Sequence, residues 1–304
     1  MPFVPPTSPT ERRPSLLSRR EVLAAGAGLL VAAACGGSDD DATGPPTSAG
    51  DATTGAVLLK LFDATRLPAG NEVRLPFGIG DADGTPRTSG PPELELGIAT
   101  EEGELVTTLT AVRHGEGLPR SYYPVITTLP EPGIYRVRTI IDGAGVEGAI
   151  QAVPPSEAPS TPGPGDGMLP ITTPTTTDPQ GVDPICTRKP PCPLHDASLD
   201  DALQRGMPVA FLIATPAFCA VRICGPVVDV LAAELEAYGD RITMVHAEVF
   251  TNLEAEETTE AVKAYEIVSE PVLYLAGADG VIRRRYDVIF DRAELRSGFD
   301  SLLA

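Results

Sequence analysis

Basic residues, histidine and aromatic side chains are scarce in this sequence. Among 304 residues, 23 are Lys or Arg and 42 are Asp or Glu, so the formal net charge is −19. A chain with this charge repels nucleic acid and is not attracted to anionic lipid headgroups, so we expect no nucleic-acid partner. Tryptophan is absent and histidine occurs three times. The apolar run AAGAGLLVAAA (24–34) is shorter than the roughly 20 residues that span a bilayer.

Proline and glycine are abundant by contrast, with 32 and 30 copies. This content predicts long unstructured connectors around the folded parts. Residues 36–54 are small, acidic and turn-rich, and they are predicted to form a disordered tether. Residues 154–184 are rich in Pro and Thr. Because Pro interrupts the hydrogen bonds of both helix and sheet, we predict a semi-stiff linker there.

Residues 1–35 have the pattern of an export signal. SRREVL (18–23) places an arginine pair before the short apolar run and resembles the twin-arginine signals of bacteria. LVAAAC (30–35) then resembles the lipobox of bacterial lipoproteins, which implies a lipid on Cys35, although Ala32 stands where Leu or Val is commoner. The alternative is an ordinary signal that is cleaved after Ala-x-Ala. The resemblance implies an exported protein, anchored through Cys35 to the outer face of the cytoplasmic membrane.

Four cysteines follow Cys35, namely Cys186, Cys192, Cys219 and Cys224. Thiols outside the cytosol tend to be oxidised, and four of them allow three pairings. Close spacing favours the pairs Cys186–Cys192 and Cys219–Cys224. The first would close a small loop and contribute about 2 kcal/mol to stability. Alternatively, it exchanges electrons with the second pair, which requires the linker to fold back.

Seven short runs of alternating apolar and polar residues occupy residues 55–153. Within YRVRTI, for example, Tyr135 and Val137 fall on one face and Arg136 and Arg138 on the other. Seven short strands without a helical stretch predict a β-sandwich. The runs are 56–62, 72–79, 93–99, 105–112, 122–128, 133–141 and 146–153.

LPEPGIY (129–135) resembles the tyrosine corner of immunoglobulin-like sandwiches, in which the tyrosine hydroxyl ties down a chain crossover. This resemblance is architectural, because the disulfide and Trp of antibody domains are absent. We find no catalytic cluster in this region. His114 is expected in an exposed loop without a chemical role.

Residues 185–304 alternate strand and helix patterns, which predicts an α/β domain. Continuous apolar runs such as PVAFLIAT (208–215) are typical of strands buried on both faces. The predicted order is helix 198–206, strand 208–215, helix from Pro226, strand 241–250, helix 254–267, strands 271–276 and 281–288 around a GADG turn, and a helix from Asp291.

This order of elements, with a cysteine pair between the first strand and its helix, resembles the thioredoxin superfamily over about residues 198–304. The resemblance implies that Cys219 is the nucleophile, that Phe218 is the aromatic residue before it, and that Pro271 is the cis-proline facing the redox loop. It also implies that Cys224 is the second redox cysteine. Glu270, adjacent to that proline, either faces the sulfurs and influences their protonation or is a solvated loop acid.

Three departures separate the chain from the family pattern. The cysteines are spaced Cys-x4-Cys instead of Cys-x-x-Cys. A rival register aligns Cys224 with the first family cysteine and leaves Val227 at the second. Ile213 occupies the position of the buried acid.

Pro226 suits the start of a helix, so residues 219–224 are predicted to be mainly a loop that can bring the two sulfurs together. Cys224 would then lie at the positive helix end, which stabilises a thiolate. We favour Cys219 as the attacking sulfur, because it lies at the loop tip and should be better exposed.

The predicted function is thiol–disulfide exchange with the thiols or disulfides of exported proteins, without a cofactor. The competing interpretation is a binding or scaffold lipoprotein whose cysteine pairs are fixed structural disulfides. A copper or zinc site is the third possibility. Some copper chaperones with a thioredoxin fold pair two nearby cysteines with a distant histidine, so that Cys219 and Cys224 would bind the metal with His246 or His195. The motif CTRKPPCPLH (186–195) also offers two cysteines and His195. Three ligands fall short of a structural zinc site. His246 lies in mid-strand and is interpreted as a satisfied buried histidine, so no metal site is predicted.

Overall fold

The computed structural model describes residues 55–304. The predicted signal segment 1–35, with the lipidation site Cys35, and the predicted tether 36–54 lie outside the described residues. Within the described part, no helix is long and apolar enough to cross a lipid bilayer. The fold is β-rich, and its strands form one sandwich and one separate four-stranded sheet.

Eight strands form the N-terminal sandwich, and all seven predicted runs are confirmed as strands. A three-stranded sheet has the order β1-β3-β6 and a five-stranded sheet has the order β2-β8-β7-β4-β5. The two-residue β2, which pairs in parallel with β8, was not predicted. The strands are β1 (Ala56–Lys60), β2 (Leu67–Pro68), β3 (Glu72–Asp81), β4 (Glu93–Thr100), β5 (Leu105–Val112), β6 (Tyr123–Thr128), β7 (Gly133–Ile141) and β8 (Ala144–Val153).

Alternation places the sandwich core between the two sheets. Leu96 and Ile98 of β4 are fully buried against Phe77 of β3 in one apolar cluster, whereas Glu95 is exposed. The predicted tyrosine hydrogen bond is present at the β6–β7 crossover. The Tyr135 hydroxyl donates to Glu131 O at 2.7 Å and accepts from Glu131 N at 3.1 Å. These two bonds hold the turn that begins β7.

Four strands and five helices follow in the C-terminal part. The sheet has the order β10-β9-β11-β12, in which β10 runs parallel to β9, and β11 runs antiparallel to both β9 and β12. The elements are α1 (Leu199–Gln204), β9 (Val209–Ile213), α2 (Cys224–Ala232), α3 (Leu235–Tyr238), β10 (Thr243–Ala247), α4 (Glu260–Ala264), β11 (Val272–Ala276), β12 (Ile282–Asp287) and α5 (Arg292–Leu303).

Helices cover both faces of this sheet, which explains why its central strands are apolar throughout. Val228 of α2 and Phe299 of α5 join Leu212 of β9 in one cluster. Tyr265, at the end of α4, joins Phe211 of β9 in a cluster on the opposite face. Consecutive residues of β9 therefore enter different cores, as a strand buried on both faces requires.

The helix predicted over 254–267 is largely absent, since α4 comprises only Glu260–Ala264. Ala255 has φ of 56°, and Phe250 forms an isolated bridge with Thr258. These backbone contacts replace the helical pattern of the acidic stretch before Thr259. The helix predicted from Asp291 is confirmed, and the Asp291 side chain accepts a hydrogen bond from Glu294 N at its first turn.

The segment 154–184, predicted to be a linker, lies against the C-terminal part instead of spacing two domains apart. Met168 is buried in the cluster that contains Phe211, and its N–H donates to Gly280 O at 2.8 Å. A three-residue 3-10 helix, Pro155–Glu157, is its one helical piece. The Pro-rich segment satisfies its backbone through neighbouring loops and strands instead of through its own secondary structure.

The same segment caps the N-terminus of α1. The Ser198 hydroxyl makes no capping bond to its own helix and instead accepts from Thr173 N at 2.8 Å. Thr173 Oγ1 accepts from Leu199 N at 3.0 Å, and Ile171 O accepts from Asp200 N at 3.1 Å. The helix N-terminus is therefore satisfied by a distant part of the chain.

A buried polar contact joins the sandwich to the C-terminal part. Arg74 of β3 donates to both carboxylate oxygens of Glu294 at 2.6 and 2.7 Å and to Ile289 O at 2.7 Å. The Tyr122 hydroxyl donates to Glu294 at 2.6 Å and accepts from Asp291 N at 2.8 Å. Both regions therefore belong to one compact unit.

His114 belongs to this contact, so the expectation of an exposed loop at His114 is wrong. Its Nδ1 lies 2.9 Å from Asp291 Oδ1, and the Gly115 N–H donates to Asp291 Oδ2 at 2.8 Å. The hydrogen bond to Asp291 raises the pKa of His114. Burial alone would raise the pKa of Asp291, but its hydrogen bonds from His114, Gly115 and Glu294 lower it to about 2. The pair is therefore an ion pair in mildly acidic solution.

Candidate functional site

The loop between β9 and α2 carries the Cys219–Cys224 disulfide predicted from spacing. The two Cα atoms are 6.0 Å apart, within the range that a disulfide bridges. Arg222 adopts φ of 56° and its N–H donates to Cys219 O at 3.1 Å. This tight turn within the four intervening residues brings the two sulfurs together.

The two sulfurs differ in their environment, and the prediction that Cys219 is better exposed is confirmed. Cys219 retains 9% of its accessible surface, whereas Cys224 retains none. Helix α2 begins at Cys224, two residues before the Pro226 predicted as its start. Cys224 therefore lies at the positive end of the helix dipole, where a developing thiolate is stabilised. Cys219 is therefore the less buried of the two cysteines.

Pro271 and Glu270 lie beside this disulfide, in the loop that leads into β11. The Glu270–Pro271 peptide bond is cis, as the sequence predicted. A carboxylate oxygen of Glu270 and the two sulfurs of the disulfide all lie within 4.8 Å of one another. Burial raises the pKa of Glu270. Of the two alternatives for Glu270, the geometry agrees with an acid that faces the sulfurs.

Neither Phe218 nor Ile213 contributes chemistry to the disulfide. The Phe218 ring packs edge-to-face on Phe250, with centroids 5.5 Å apart. Ile213, at the position of the expected buried acid, is fully buried in the cluster on the sheet face opposite to the cysteines. Glu270 is therefore the acid that accompanies this cysteine pair.

Cys186 and Cys192 do not form the predicted disulfide, since both are free and buried. They lie with His195 and His246 in what we call the thiol–imidazole cluster, whose four donor atoms are within 4.8 Å of one another. Cys192 Sγ is 3.3 Å from both His195 Nε2 and His246 Nδ1. The two imidazoles occupy the space around the sulfurs, so the thiols face nitrogen instead of closing on each other.

The two thiols of the cluster influence each other's protonation. The hydrogen bond with Cys192, followed by those with the two imidazoles, lowers the pKa of Cys186. The same bond with Cys186, together with burial, raises the pKa of Cys192.

A set of hydrogen bonds connects the cluster to the disulfide loop. Thr187 donates through its N–H and its hydroxyl to Glu248 Oε1, at 2.6 and 2.8 Å. The Thr187 hydroxyl also accepts from Ala217 N at 3.0 Å, two residues before Cys219. The chain next to Cys186 therefore contacts the disulfide loop, which the alternative of electron exchange between the two pairs required, although Cys186 and Cys192 form no disulfide.

The sandwich also reaches the disulfide loop. Arg120 Nη2 donates to Val221 O at 2.6 Å, in the middle of the turn between the two cysteines. Val221 is 41% exposed beside this contact. The disulfide loop therefore contacts both parts of the protein.

Comparisons with known proteins do not assign this chain to a family. No protein-family model and no curated protein matches the chain. Among solved structures, an engineered protein is 14% identical over 33% of this chain and 20% of that chain, with a TM-score of 0.23. A mutant of Salmonella alpha-2-macroglobulin is 17% identical over 42% of this chain and 8% of that chain, with a TM-score of 0.27. The chain spans a fifth or less of these proteins, and similarities of this size carry no argument about function.

The local sequence pattern did not indicate that Arg120 and His246 belong to the site. Arg120 precedes a strand of the sandwich and carries no motif. His246 was interpreted as a satisfied core residue, yet Glu248 follows it two residues later, just beyond the end of β10, and is also buried. Two buried polar residues at this spacing, in and next to a largely apolar strand, are the signal that could have indicated a polar partner there.

Proposed function

We propose that the protein performs thiol–disulfide exchange through Cys219 and Cys224, with exported proteins as its partners. In this proposal, residues 185–304 are a divergent thioredoxin-like domain and residues 55–153 are an immunoglobulin-like sandwich. The strand order β10-β9-β11-β12, the helices on both faces and the disulfide between β9 and α2 support the first assignment. The cis Glu270–Pro271 bond beside the disulfide supports it further.

The observation that carries the proposal is the asymmetry of the disulfide. Cys219 retains 9% of its accessible surface in the loop, while Cys224 is fully buried at the start of α2. An exchange reaction needs one sulfur that meets the partner and a second that resolves the mixed disulfide. The geometry provides one group for each role.

The reaction consists of two thiol–disulfide exchanges. In the reduced protein, the Cys219 thiolate attacks one sulfur of a partner disulfide, forming a Cys219–partner bond and releasing a partner thiolate. The Cys224 thiolate then attacks Cys219 Sγ, forming the internal disulfide and releasing the second partner thiolate. The partner is reduced by two electrons and the cysteine pair is oxidised. A dithiol donor restores the reduced pair through the reverse steps.

Glu270 acts in this proposal as the acceptor for the proton of the Cys224 thiol. Its carboxylate oxygen lies within 4.8 Å of both sulfurs, and its pKa is raised by burial. A carboxylate with a raised pKa accepts a proton more readily than one in water, which favours proton transfer when Cys224 attacks. Glu270 thereby replaces the acid that is absent at Ile213.

The exchange is tested on the full-length protein. Equilibration with dithiothreitol, followed by thiol counting, gives the reduction potential of the Cys219–Cys224 pair. A working pair should have a potential above about −300 mV. The Cys224→Ser variant should accumulate a mixed disulfide with insulin, and Cys219→Ser should form none. Glu270→Gln should slow resolution by about 10²-fold.

The scaffold alternative predicts the opposite results. Its supporting observation is that Cys219 is only 9% exposed. A potential below about −300 mV identifies a fixed structural bridge. Such a potential, with no mixed disulfide in the Cys224→Ser variant, would reject the exchange proposal and favour a binding or scaffold protein.

The lipid anchor is a separate part of the proposal. Its support is the sequence alone, through the arginine pair at Arg19 and Arg20 and the lipobox ending at Cys35. Metabolic labelling with a fatty acid should mark the wild-type protein and not Cys35→Ala. Labelling of both proteins would refute the anchor and leave the exchange chemistry unaffected.

A further inference from the structure

We propose that the thiol–imidazole cluster, formed by Cys186, Cys192, His195 and His246, binds one zinc ion. The proposal is independent of the exchange reaction at Cys219. The four donor atoms come from two places in the chain, the loop 186–195 and the edge strand β10. They converge in the interior of the protein although His246 lies 51 residues beyond His195.

The distances between the donor atoms agree with a tetrahedral zinc site. Bonds of about 2.1 Å to nitrogen and 2.3 Å to sulfur place two nitrogens about 3.4 Å apart and a sulfur about 3.6 Å from a nitrogen. The two imidazole nitrogens are 3.2 Å apart. The sulfur–nitrogen distances are 3.3 and 3.3 Å for Cys192 and 4.0 Å for Cys186 to His246. The spacing therefore leaves room for a metal at the centre.

The hydrogen bond made by Nε2 of His246 determines which of the two ring nitrogens carries the hydrogen. His246 Nε2 lies 3.0 Å from Ala214 O. A carbonyl oxygen only accepts, so Nε2 carries the hydrogen and Nδ1 presents its lone pair to the cluster. Metal-binding histidines usually donate their second nitrogen to an acceptor of this kind. His195 Nε2 lies 3.3 Å from Cys192 Sγ and 3.2 Å from His246 Nδ1, inside the cluster, whereas its Nδ1 is buried without a hydrogen-bond partner.

Burial and charge identify the kind of site. The four residues are between 0 and 5% exposed, so no position is open to a substrate. Structural zinc sites are closed in this way and use four Cys or His ligands. Two cysteine thiolates would neutralise the charge of a divalent ion, so the complete centre is neutral in an apolar environment. Carboxylate-preferring cations such as Mg²⁺ do not suit two thiolates.

The backbone around the cluster supports the same geometry. The Cys192 N–H donates to Cys186 Sγ at 3.3 Å, a bond that stabilises a ligating thiolate. The His246 N–H donates to Leu194 O at 2.9 Å, and the Thr176 N–H donates to His195 O at 3.0 Å. The metal would therefore join the loop 186–195 to the edge of the sheet at a position already fixed by backbone bonds.

The first test measures metal and ligands in the wild-type protein. The full-length chain, isolated without chelator, should contain about one zinc per molecule by mass spectrometry. X-ray absorption at the zinc edge should give two sulfur and two nitrogen neighbours. Replacement by Co²⁺ should give the visible absorption of tetrahedral cobalt with thiolate ligands. A Cys186–Cys192 disulfide in the thiol-blocked protein, isolation of the chain with copper in place of zinc, or zinc with only light-atom neighbours would overturn the assignment.

Variants then assign the ligands. Cys192→Ser and His246→Ala should each lose most of the zinc, and the double variant Cys219→Ser/Cys224→Ser is the matched control that should keep it. Because removal of a ligand can unfold the domain, His195→Cys provides a variant that retains four ligands. It should still bind about one zinc and keep the wild-type circular dichroism. Zinc loss in the control, or zinc retained in Cys192→Ser, would refute these ligands.

Discussion

Arg74 offers the sharpest test of how the sandwich is held to the C-terminal part. Its guanidinium group donates two hydrogen bonds to Glu294, and the two side chains are only 8 and 14% exposed. The perturbation is Arg74→Met, which keeps the length of the aliphatic stem and removes the charge. Glu294 then remains in the interface with the Tyr122 hydroxyl, which donates to it at 2.6 Å.

The magnitude follows from the burial of the pair. Removing one partner of a buried ion pair leaves an uncompensated charge and costs about 3–5 kcal/mol. Since Tyr122 still donates to Glu294, we expect the lower end, about 3 kcal/mol. Replacing both residues, as in Arg74→Met/Glu294→Leu, removes the unpaired charge. The double variant should therefore recover most of the loss, because apolar replacement of a buried pair is often neutral.

The assay is urea unfolding followed by circular dichroism, with the cysteine redox state held constant. With an m-value of about 3 kcal/mol per molar, a loss of 3 kcal/mol lowers the midpoint by about 1 M. Arg138→Met is the matched control, because Arg138 also lies 2.6 Å from a carboxylate, that of Glu147, but is 57% exposed. Exposed pairs contribute little, so the control should unfold like the wild type.

Two outcomes would refute this reasoning. If Arg74→Met and Arg138→Met shift the midpoint equally, burial does not determine the strength of the Arg74 pair. If the double variant is as unstable as the sum of its two single variants, then the loss comes from packing and not from an unpaired charge. Either result would require another account of how the two parts are joined.

Three further predictions concern the same contact and the core. The pKa of His114 is raised, so its contribution to the free energy of unfolding is complete below about pH 6.5 and is lost as pH rises through its folded pKa. The pKa of Asp291 is about 2, so its contribution is complete above about pH 4 and is lost as pH falls toward 2. Stability measured against pH should therefore fall on both sides, and His114→Gln should remove the alkaline fall. Tyr122→Phe leaves the Asp291 N–H unpaired and should lower the unfolding free energy by about 1–3 kcal/mol in urea; an unchanged value would contradict it. Phe299→Ala in the fully buried core should cost about 3–5 kcal/mol by the same assay, and a loss below 1 kcal/mol would show that the core closes around the gap.

Local patterns predicted most of the secondary structure, because a strand or helix that is buried on one face has apolar residues at regular intervals along the sequence. The alternation of Leu94, Leu96 and Ile98 with exposed acids predicted β4, and the observed burial has the same period. The apolar run at 208–215 predicted β9, which is buried at every position. Both results depend only on neighbours along the chain.

Contacts between residues far apart in the sequence were harder to predict. The segment 154–184 contains too much Pro for a regular pattern, and its role as a cap for α1 depends on contacts with residues such as Leu199. Spacing predicted the Cys219–Cys224 bond because the partners are five residues apart. His246 meets Cys186 across 60 residues, and strand periodicity gives the face of a side chain but not what covers that face.

The burial of Met168 sets a practical limit on how the protein can be divided for study. A recombinant fragment starting at Ile185 would match the boundary suggested by composition, yet it would uncover the apolar surface under Met168 and remove the groups that satisfy the first turn of α1. Such a fragment should aggregate or require solubilising partners during expression. A cut near Pro154 retains this covering chain, but it still discards Arg74 and Tyr122, so the intact 55–304 region is the smallest piece we expect to purify as a well-behaved protein.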